Sequence, residues 1–342
     1  MDAGMNWKQI AAATGEPFPG FIWAYRFRGD GIAERLNPAV IDTALQAGDG
    51  WVWLHLNLAN VRALEWLQSA APIPDEARAL FQQVDEHQTL QVTDEGEIFG
   101  IFSDLKQEFN EKSTEDIAKL RFCVTEKFMV SARRAPLKAV EETRRLIEDG
   151  RRFPSAVMLL EAIVLRFCDG VSKVARSLST SLDRIEDRVV LADEGDERVA
   201  IGPLRRTALR IHRQLQHLAI LFHDFAEDND TMLPEDTRLA AARIERRLNA
   251  LDNDLRDIHA RARVVSDEVA AKIAQQANRN LSVLSLLTAL FVPPTLVTGV
   301  WGMNITNLPF KDADNGIWLV LAVCLTSTVS VLLVWRLLTH WR

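Results

Sequence analysis

The chain has 342 residues, 25% of them charged, with 40 Lys and Arg against 47 Asp and Glu and a formal net charge of −7. That balance supplies no electrostatic footprint for nucleic acid, which is not an expected partner. Three isolated cysteines (Cys123, Cys168, Cys324), with no C-x-x-C pair, suit a reducing compartment and argue against both a disulfide framework and a thiolate zinc cluster. No Walker loop, H-E-x-x-H or G-x-S-x-G elbow is present, so neither an enzyme nor transport driven by ATP within this chain is expected, and no cofactor is implied.

Residues 1–153 read as an α/β domain. Segments rich in β-branched and aromatic residues predict strands at Gly20–Arg28, Trp51–Leu56, Gln88–Val92, Ile98–Leu105, Leu120–Thr125 and Phe128–Ala132. Asp94-Glu95-Gly96 is a turn signal that makes a hairpin of the third and fourth, and Thr125-Glu126-Lys127 can do the same for the last two. Helical patterns fit Val61–Ala70, Asp75–Gln83 and Leu137–Glu148. From 154 to 280 the pattern is helical throughout, with amphipathic runs at Ala156–Leu191 and Gly202–Phe225. An acidic bend follows at Glu227–Pro234, and a further helix starts near Pro234. In that helix Ile244, Leu248, Leu251, Leu255, Ile258, Ala262, Val265 and Val269 recur at alternating steps of four and three. This is the seam of a helix packed along its length.

No breaker separates this seam from the next feature, so the helix is expected to run on to about Trp301, about 65 residues and roughly 100 Å. Leu281–Val300 and Gly316–Trp335 each contain no charged residue and are long enough to cross a bilayer. The expected division is a first span at 281–301, an extracytoplasmic link at 302–315, a second span at 316–338 and a short tail at 339–342. Trp301, Trp318 and Trp335 flank the runs where indole rings favour the headgroup layer. Lys272, Arg279, Arg336 and Arg342 lie on one side, whereas the link has Lys311 against Asp312 and Asp314. The positive-inside rule then puts both termini in the cytoplasm, and a signal-like segment is not seen near Met1. The fold class expected is therefore an α+β membrane protein, with an N-terminal α/β domain, long helices and two C-terminal spans.

Within the first span Leu281, Ser285, Thr288, Val292, Thr295 and Gly299 share one narrow helix face. Such a stripe can line a water path or act as helix-packing glue. Pro293-Pro294 removes two N–H donors and frees the carbonyls of Ala289 and Leu290. Two spans and heptads alone would equally fit a membrane-tethered scaffold or sensor.

The link narrows the choice. Gly299-Val300-Trp301-Gly302-Met303-Asn304, lying between two C-terminal spans, resembles the signature of the CorA family of divalent-cation transporters. The same tripeptide at Gly4-Met5-Asn6 has no membrane context. Trp301, the preceding Pro293-Pro294-Thr295-Leu296-Val297-Thr298 and the neutral Ile305-Thr306-Asn307-Leu308-Pro309-Phe310 are similar to the zinc-transporting, ZntB-like branch. The magnesium-type Met-Pro-Glu-Leu segment is absent.

The resemblance implies a homopentamer with a cytosolic funnel, five first spans around a pore, and divalent metal cations as substrate, zinc above all. Carried over, Gly302, Met303 and Asn304 would form the ion-recognition loop. Asn278, Leu281, Leu284, Thr288, Val292 and Thr295 would line the pore, with Leu281 and Leu284 as an apolar constriction. Branch membership also implies proton coupling, yet no Asp, Glu, His or Cys lies between Leu281 and Trp301.

Other candidates are weaker. The acidic bend with Glu227, Asp228 and Asp230 could sense cytosolic metal, or be a solvated turn. His212, His217 and His223 do not share a helix face and read as solvated or packed side chains. Asp252, Asp254 and Asp257 read as solvated, and Cys324 as a small packing residue.

Overall fold

The computed structural model describes residues 20–37, 40–46, 50–69, 73–83, 87–107, 116–191, 197–227, 233–303 and 315–340. By its internal contacts the chain divides into two compact units, Met1–Val264 and Val265–Arg342.

The first unit is built on a seven-stranded sheet. Its strands are β1 (Phe21–Phe27), β2 (Ala33–Arg35), β3 (Trp51–Asn57), β4 (Thr89–Val92), β5 (Ile98–Leu105), β6 (Ile117–Val124) and β7 (Phe128–Arg133), in the order β2-β1-β3-β7-β6-β5-β4. All neighbours are antiparallel except β3 and β7, which pair in parallel from Val52 opposite Phe128 to Asn57 opposite Arg133. Both expected hairpins form: β4 pairs with β5 across the Asp94–Gly96 turn, and β6 with β7 across Thr125–Lys127. Gly96 adopts φ +83°, the left-handed conformation that such a turn uses.

Helices cover both faces of the sheet, so β5 is buried at every position rather than alternating. On one face Val52, Leu54, Leu56, Phe99, Ile101 and Val130 meet α1 (Ile41–Gln46), α2 (Val61–Ser69) and α3 (Asp75–Gln82) through Ile41, Ala63, Trp66, Leu67, Leu80 and Phe81. Neither β2 nor α1 was expected from the residue pattern. Both are short and owe their place to the sheet. Gly50 shows how tightly the chain enters β3: at φ +77° a Cβ there would lie 1.9 Å from the Phe27 carbonyl.

The other face carries a polar layer under α4 (Lys138–Glu148), α5 (Ala156–Leu191) and α6 (Glu197–Glu227). His55 is fully buried. Arg133 Nε donates to its Nε2 (3.1 Å), so Nδ1 carries the proton and donates to Ser131 Oγ (2.8 Å), which also accepts from Trp53 Nε1 (2.8 Å). Burial, and then the Arg133 charge, hold its pKa well below the ordinary imidazole value. Gln214 of α6 reaches down to the sheet. Its side-chain oxygen accepts from Ser103 Oγ (2.5 Å), Lys119 Nζ (3.0 Å) and Gln88 Nε2 (3.1 Å). Asp104 caps α4, accepting from the Ala139 N–H at 2.9 Å and the Leu105 N–H at 2.7 Å.

The helix expected at Gly202 begins five residues earlier, at Glu197, and carries Pro203 in its interior rather than at its start. The following helix, α7 (Glu235–Gly302), is continuous over 68 residues, and α8 spans Gly316–His340. All eight seam residues from Ile244 to Val269 are at most 6% exposed. Flanking ion pairs tie α7 to α5: Arg243 with Glu161 (2.7 Å), and Arg261 with Asp183 and Glu186 (2.7 Å each). Asp252, expected to be solvated, is instead 5% exposed. Its carboxylate lies 2.5 Å from His212 Nδ1 of α6 and 3.0 Å from Arg256. Asp252 directly follows the seam residue Leu251, and its two partners offset the cost of burying its carboxylate.

Two outcomes follow. Leu255→Ala, at a fully buried seam position, is expected to cost about 2–5 kcal/mol in denaturant unfolding of the full chain in detergent. Burial pushes the Asp104 carboxyl up from 3.8 to about 7, against the pull of the α4 N–H groups. The folded state therefore binds the proton more tightly, and its stability declines as pH rises from about 4 to about 7. Asp104→Asn is expected to flatten that part of the melting-temperature profile; an unchanged slope would assign it elsewhere.

Candidate functional site

The second unit holds two helical stretches long and apolar enough to cross a membrane, one at the C-terminal end of α7 and one in α8. Their windows have mean hydropathy 1.9 and 2.5, and neither is buried within the chain. Leu281, Leu284, Phe291, Leu296, Leu325 and Leu333 are each more than half exposed. Apolar surface of this extent on both helices requires lipid or further protein around it.

The burial that does occur is periodic. On α7 the half-buried positions are Leu286, Leu290, Pro293, Pro294, Val297 and Trp301. On α8 they are Gly316, Val320, Cys324, Ser327, Thr328 and Val331. The Cys324 thiol donates to the Pro294 carbonyl at 4.0 Å, so these two seams face each other. Small residues on the α8 side permit that approach. Cys324 thus does more than fill space: it supplies a donor beside the double proline.

The residues singled out in sequence lie elsewhere on α7. Asn278, Leu281, Leu284, Ser285, Thr288, Val292, Thr295 and Gly299 are all exposed, on the face turned away from the α8 seam. Thr288, Val292, Thr295, Gly299 and Met303 share one open groove of about 740 Å³ with Leu287, Phe291, Leu296 and Val300. Those last four were missed, because a uniformly apolar run carries no signal for which residues border a groove. The hydroxyls in the groove are oriented: Thr288 Oγ1 donates to the Leu284 carbonyl (2.9 Å) and Thr295 Oγ1 to the Phe291 carbonyl (2.6 Å).

At the end of α7, Gly302 is the last helical residue and the Met303 N–H donates to the Val300 carbonyl at 3.2 Å. Asn304 lies outside the described residues, as do Asp228 and Asp230; Glu227 is exposed at the end of α6. Trp318 is 71% exposed and Trp335 43%, whereas Trp301 sits in the α7 seam with its indole N–H shielded and unpartnered among the described residues. Among those residues no group of three His, Cys, Asp or Glu side chains could hold a metal ion. Two of the α6 histidines are engaged with carboxylates of α7, His212 as above and His223 with Glu245 at 3.1 Å.

A sheet unit with long helices, followed by two apolar helices joined by a Gly-Met-Asn link, can be compared with known proteins. The family described as CorA-like Mg2+ transporter protein matches residues 48–338. The chain belongs to the CorA family. It is 26% identical over 297 residues to the zinc transport protein ZntB of Yersinia enterocolitica, covering 86% of this chain and 88% of that protein. It is 25% identical over 306 residues to the divalent cation transporter CmaX of Pseudomonas aeruginosa, covering 88% and 90%. The solved structure of full-length CmaX superposes with a TM-score of 0.79 at 23% identity, over 95% of this chain and 99% of that one. This CorA-family chain is accordingly a membrane-embedded divalent-cation transporter.

The separation of the two α7 faces can be read chemically. In a background with its native cysteines replaced by alanine, Val292→Cys in the groove is expected to react with a charged, water-soluble thiol reagent in membranes. Leu290→Cys in the α8 seam is expected to stay protected. A Val292→Cys variant as protected as Leu290→Cys would mean that the groove is dry.

Proposed function

We propose that five copies of this CorA-family chain surround a central, water-filled axis, with the groove face of α7 lining it and both termini in the cytosol. What supports this reading is that the polar stripe and the α8 seam occupy different faces of one helix. Each chain covers one side of its own α7 and leaves the hydroxyl-bearing side for other copies.

The substrate in this reading is a hydrated divalent cation, zinc foremost, taken up along an inward-negative potential. A divalent ion holds its first water shell tightly, and stripping that shell would cost more than neutral ligands return. The amide of Asn304, at the outer mouth, accepts hydrogen bonds from those waters without adding charge, so the ion is recognised yet released. Gly302 gives the backbone freedom to turn there. The span offers zinc none of the nitrogen or sulfur ligands it prefers, which fits passage as a hydrated ion. Any proton coupling then runs through pore water or through groups outside the membrane.

Zinc is favoured by the likeness to ZntB and by the neutral segment after the motif. A magnesium channel on the same fold is the second reading, favoured by the family's own description. In vesicles containing the full chain, zinc influx is expected with the intact protein and is expected to be lost with Asn304→Ala. Equal influx in both would discredit the assigned loop. Excess magnesium outside should leave zinc influx largely unchanged; strong competition would favour the magnesium reading.

A further inference from the structure

Helix α7 is tied to its two neighbours through different chemistry. Toward α5 the cations are arginines: Arg243 with Glu161, Arg247 with Asp169 at 3.6 Å, and Arg261 with Asp183 and Glu186. A guanidinium stays charged throughout the physiological range. Toward α6 the partners are histidines: His212 with Asp252 at 2.5 Å, and His223 with Glu245 at 3.1 Å. These two histidines lie roughly three turns apart on α6 and so share one face, from which His217 is turned away. Imidazole is the side chain whose charge ordinarily changes between about pH 5 and pH 8.

We infer that His212 and His223 make the α6–α7 junction a pH-responsive clasp, tight when both imidazoles are protonated and loose when they are neutral. Protonated, each pair is an ion pair with a charge-assisted hydrogen bond; neutral, it keeps at most an ordinary one. The His212 pair carries the larger share, because Asp252 is buried whereas His223 is more than half exposed. From α7 these imidazoles face Asp252, Glu245 and Arg256, which shares the Asp252 carboxylate at 3.0 Å. On α6 itself, Glu227 stands one turn beyond His223, and the positions one turn from His212 are Ala208, Leu209, Leu215 and Gln216, none of which titrates. Among the described residues no hydrogen bond or ion pair joins either histidine to α5 or to the sheet. Arg256 keeps Asp252 from becoming an unpaired buried charge when His212 is neutral, so the junction loosens without the core unfolding. At low pH α7, which is continuous from this junction to Gly302, is then held on two sides, and at high pH firmly on one.

The test is amide hydrogen exchange of the full-length protein in lipid nanodiscs at about pH 6 and about pH 8, each rate divided by the intrinsic rate at that pH. Burial raises the Asp104 carboxyl to about 7, so the comparison is made in an Asp104→Asn background that removes this second titration. With both histidines present, opening of α6 relative to α5 is expected to rise about fivefold or more from the lower pH to the higher. His212→Gln combined with His223→Gln should abolish the rise and leave α6 as open at the lower pH as the parent is at the higher. His223→Arg supplies at an exposed position the permanent cation used toward α5, and should lower α6 opening at the higher pH. A parent whose α6-to-α5 ratio is the same at both pH values, or a glutamine pair that keeps the parent's rise, would overturn the inference. If the glutamine pair does not elute as the parent oligomer, the single exchanges at His223 decide. Glutamine there should raise α6 opening at the lower pH and arginine should reduce it at the higher, and neither change occurring would likewise overturn it. The readout is exchange and not flux, so this inference and the pore reading stand or fall separately.

Discussion

A helix of some twenty apolar residues satisfies its own backbone and leaves its side chains without cover. That is the constraint on which the second unit turns. Neither span is buried by the rest of the chain, so each must be surrounded by lipid or by other protein. The two spans meet on one face only, around the Cys324–Pro294 contact. Everything distinctive about α7 follows from how its remaining faces are furnished.

One helix carries two kinds of surface. Counted by fours and threes, the buried seam that begins at Ile244 and reaches Val269 resumes in the same phase at Leu286, Leu290, Pro293 and Val297. Between them Lys272, Gln276, Arg279 and Val283 fall on the same count and are exposed. The apolar seam thus belongs to packing within the chain at both ends of α7, and the stripe of hydroxyls and small residues belongs to something else. The pore proposed above assigns that other surface to the permeant ion.

The first unit is held differently. Its sheet is buried on both faces, and its second face is paired through polar groups rather than oil alone: Gln214 to Ser103 and Lys119, Asp104 to the N-terminus of α4, His55 between Arg133 and Ser131. Buried groups of this kind stabilise only when every partner is in place. They therefore fix which helix lies over which strand more sharply than apolar contacts would. The His212–Asp252–Arg256 cluster does the same between α6 and α7.

Much of this was legible in the residues alone. Six strands, the two hairpins, the heptad seam, the apolar spans and the resemblance carried by Gly302-Met303-Asn304 are local or periodic signals, and periodicity survives in one dimension. What needed the third dimension was pairing: the parallel union of β3 and β7, which lie far apart in sequence, the short β2 and α1 that exist only against the sheet, and the inward turn of Asp252 toward His212. The two faces of α7 in the membrane are the sharpest case. Where nearly every residue is apolar, hydrophobic pattern cannot say which side is covered. Only the position of α8, marked by one thiol against one carbonyl, separates the packed side from the open one.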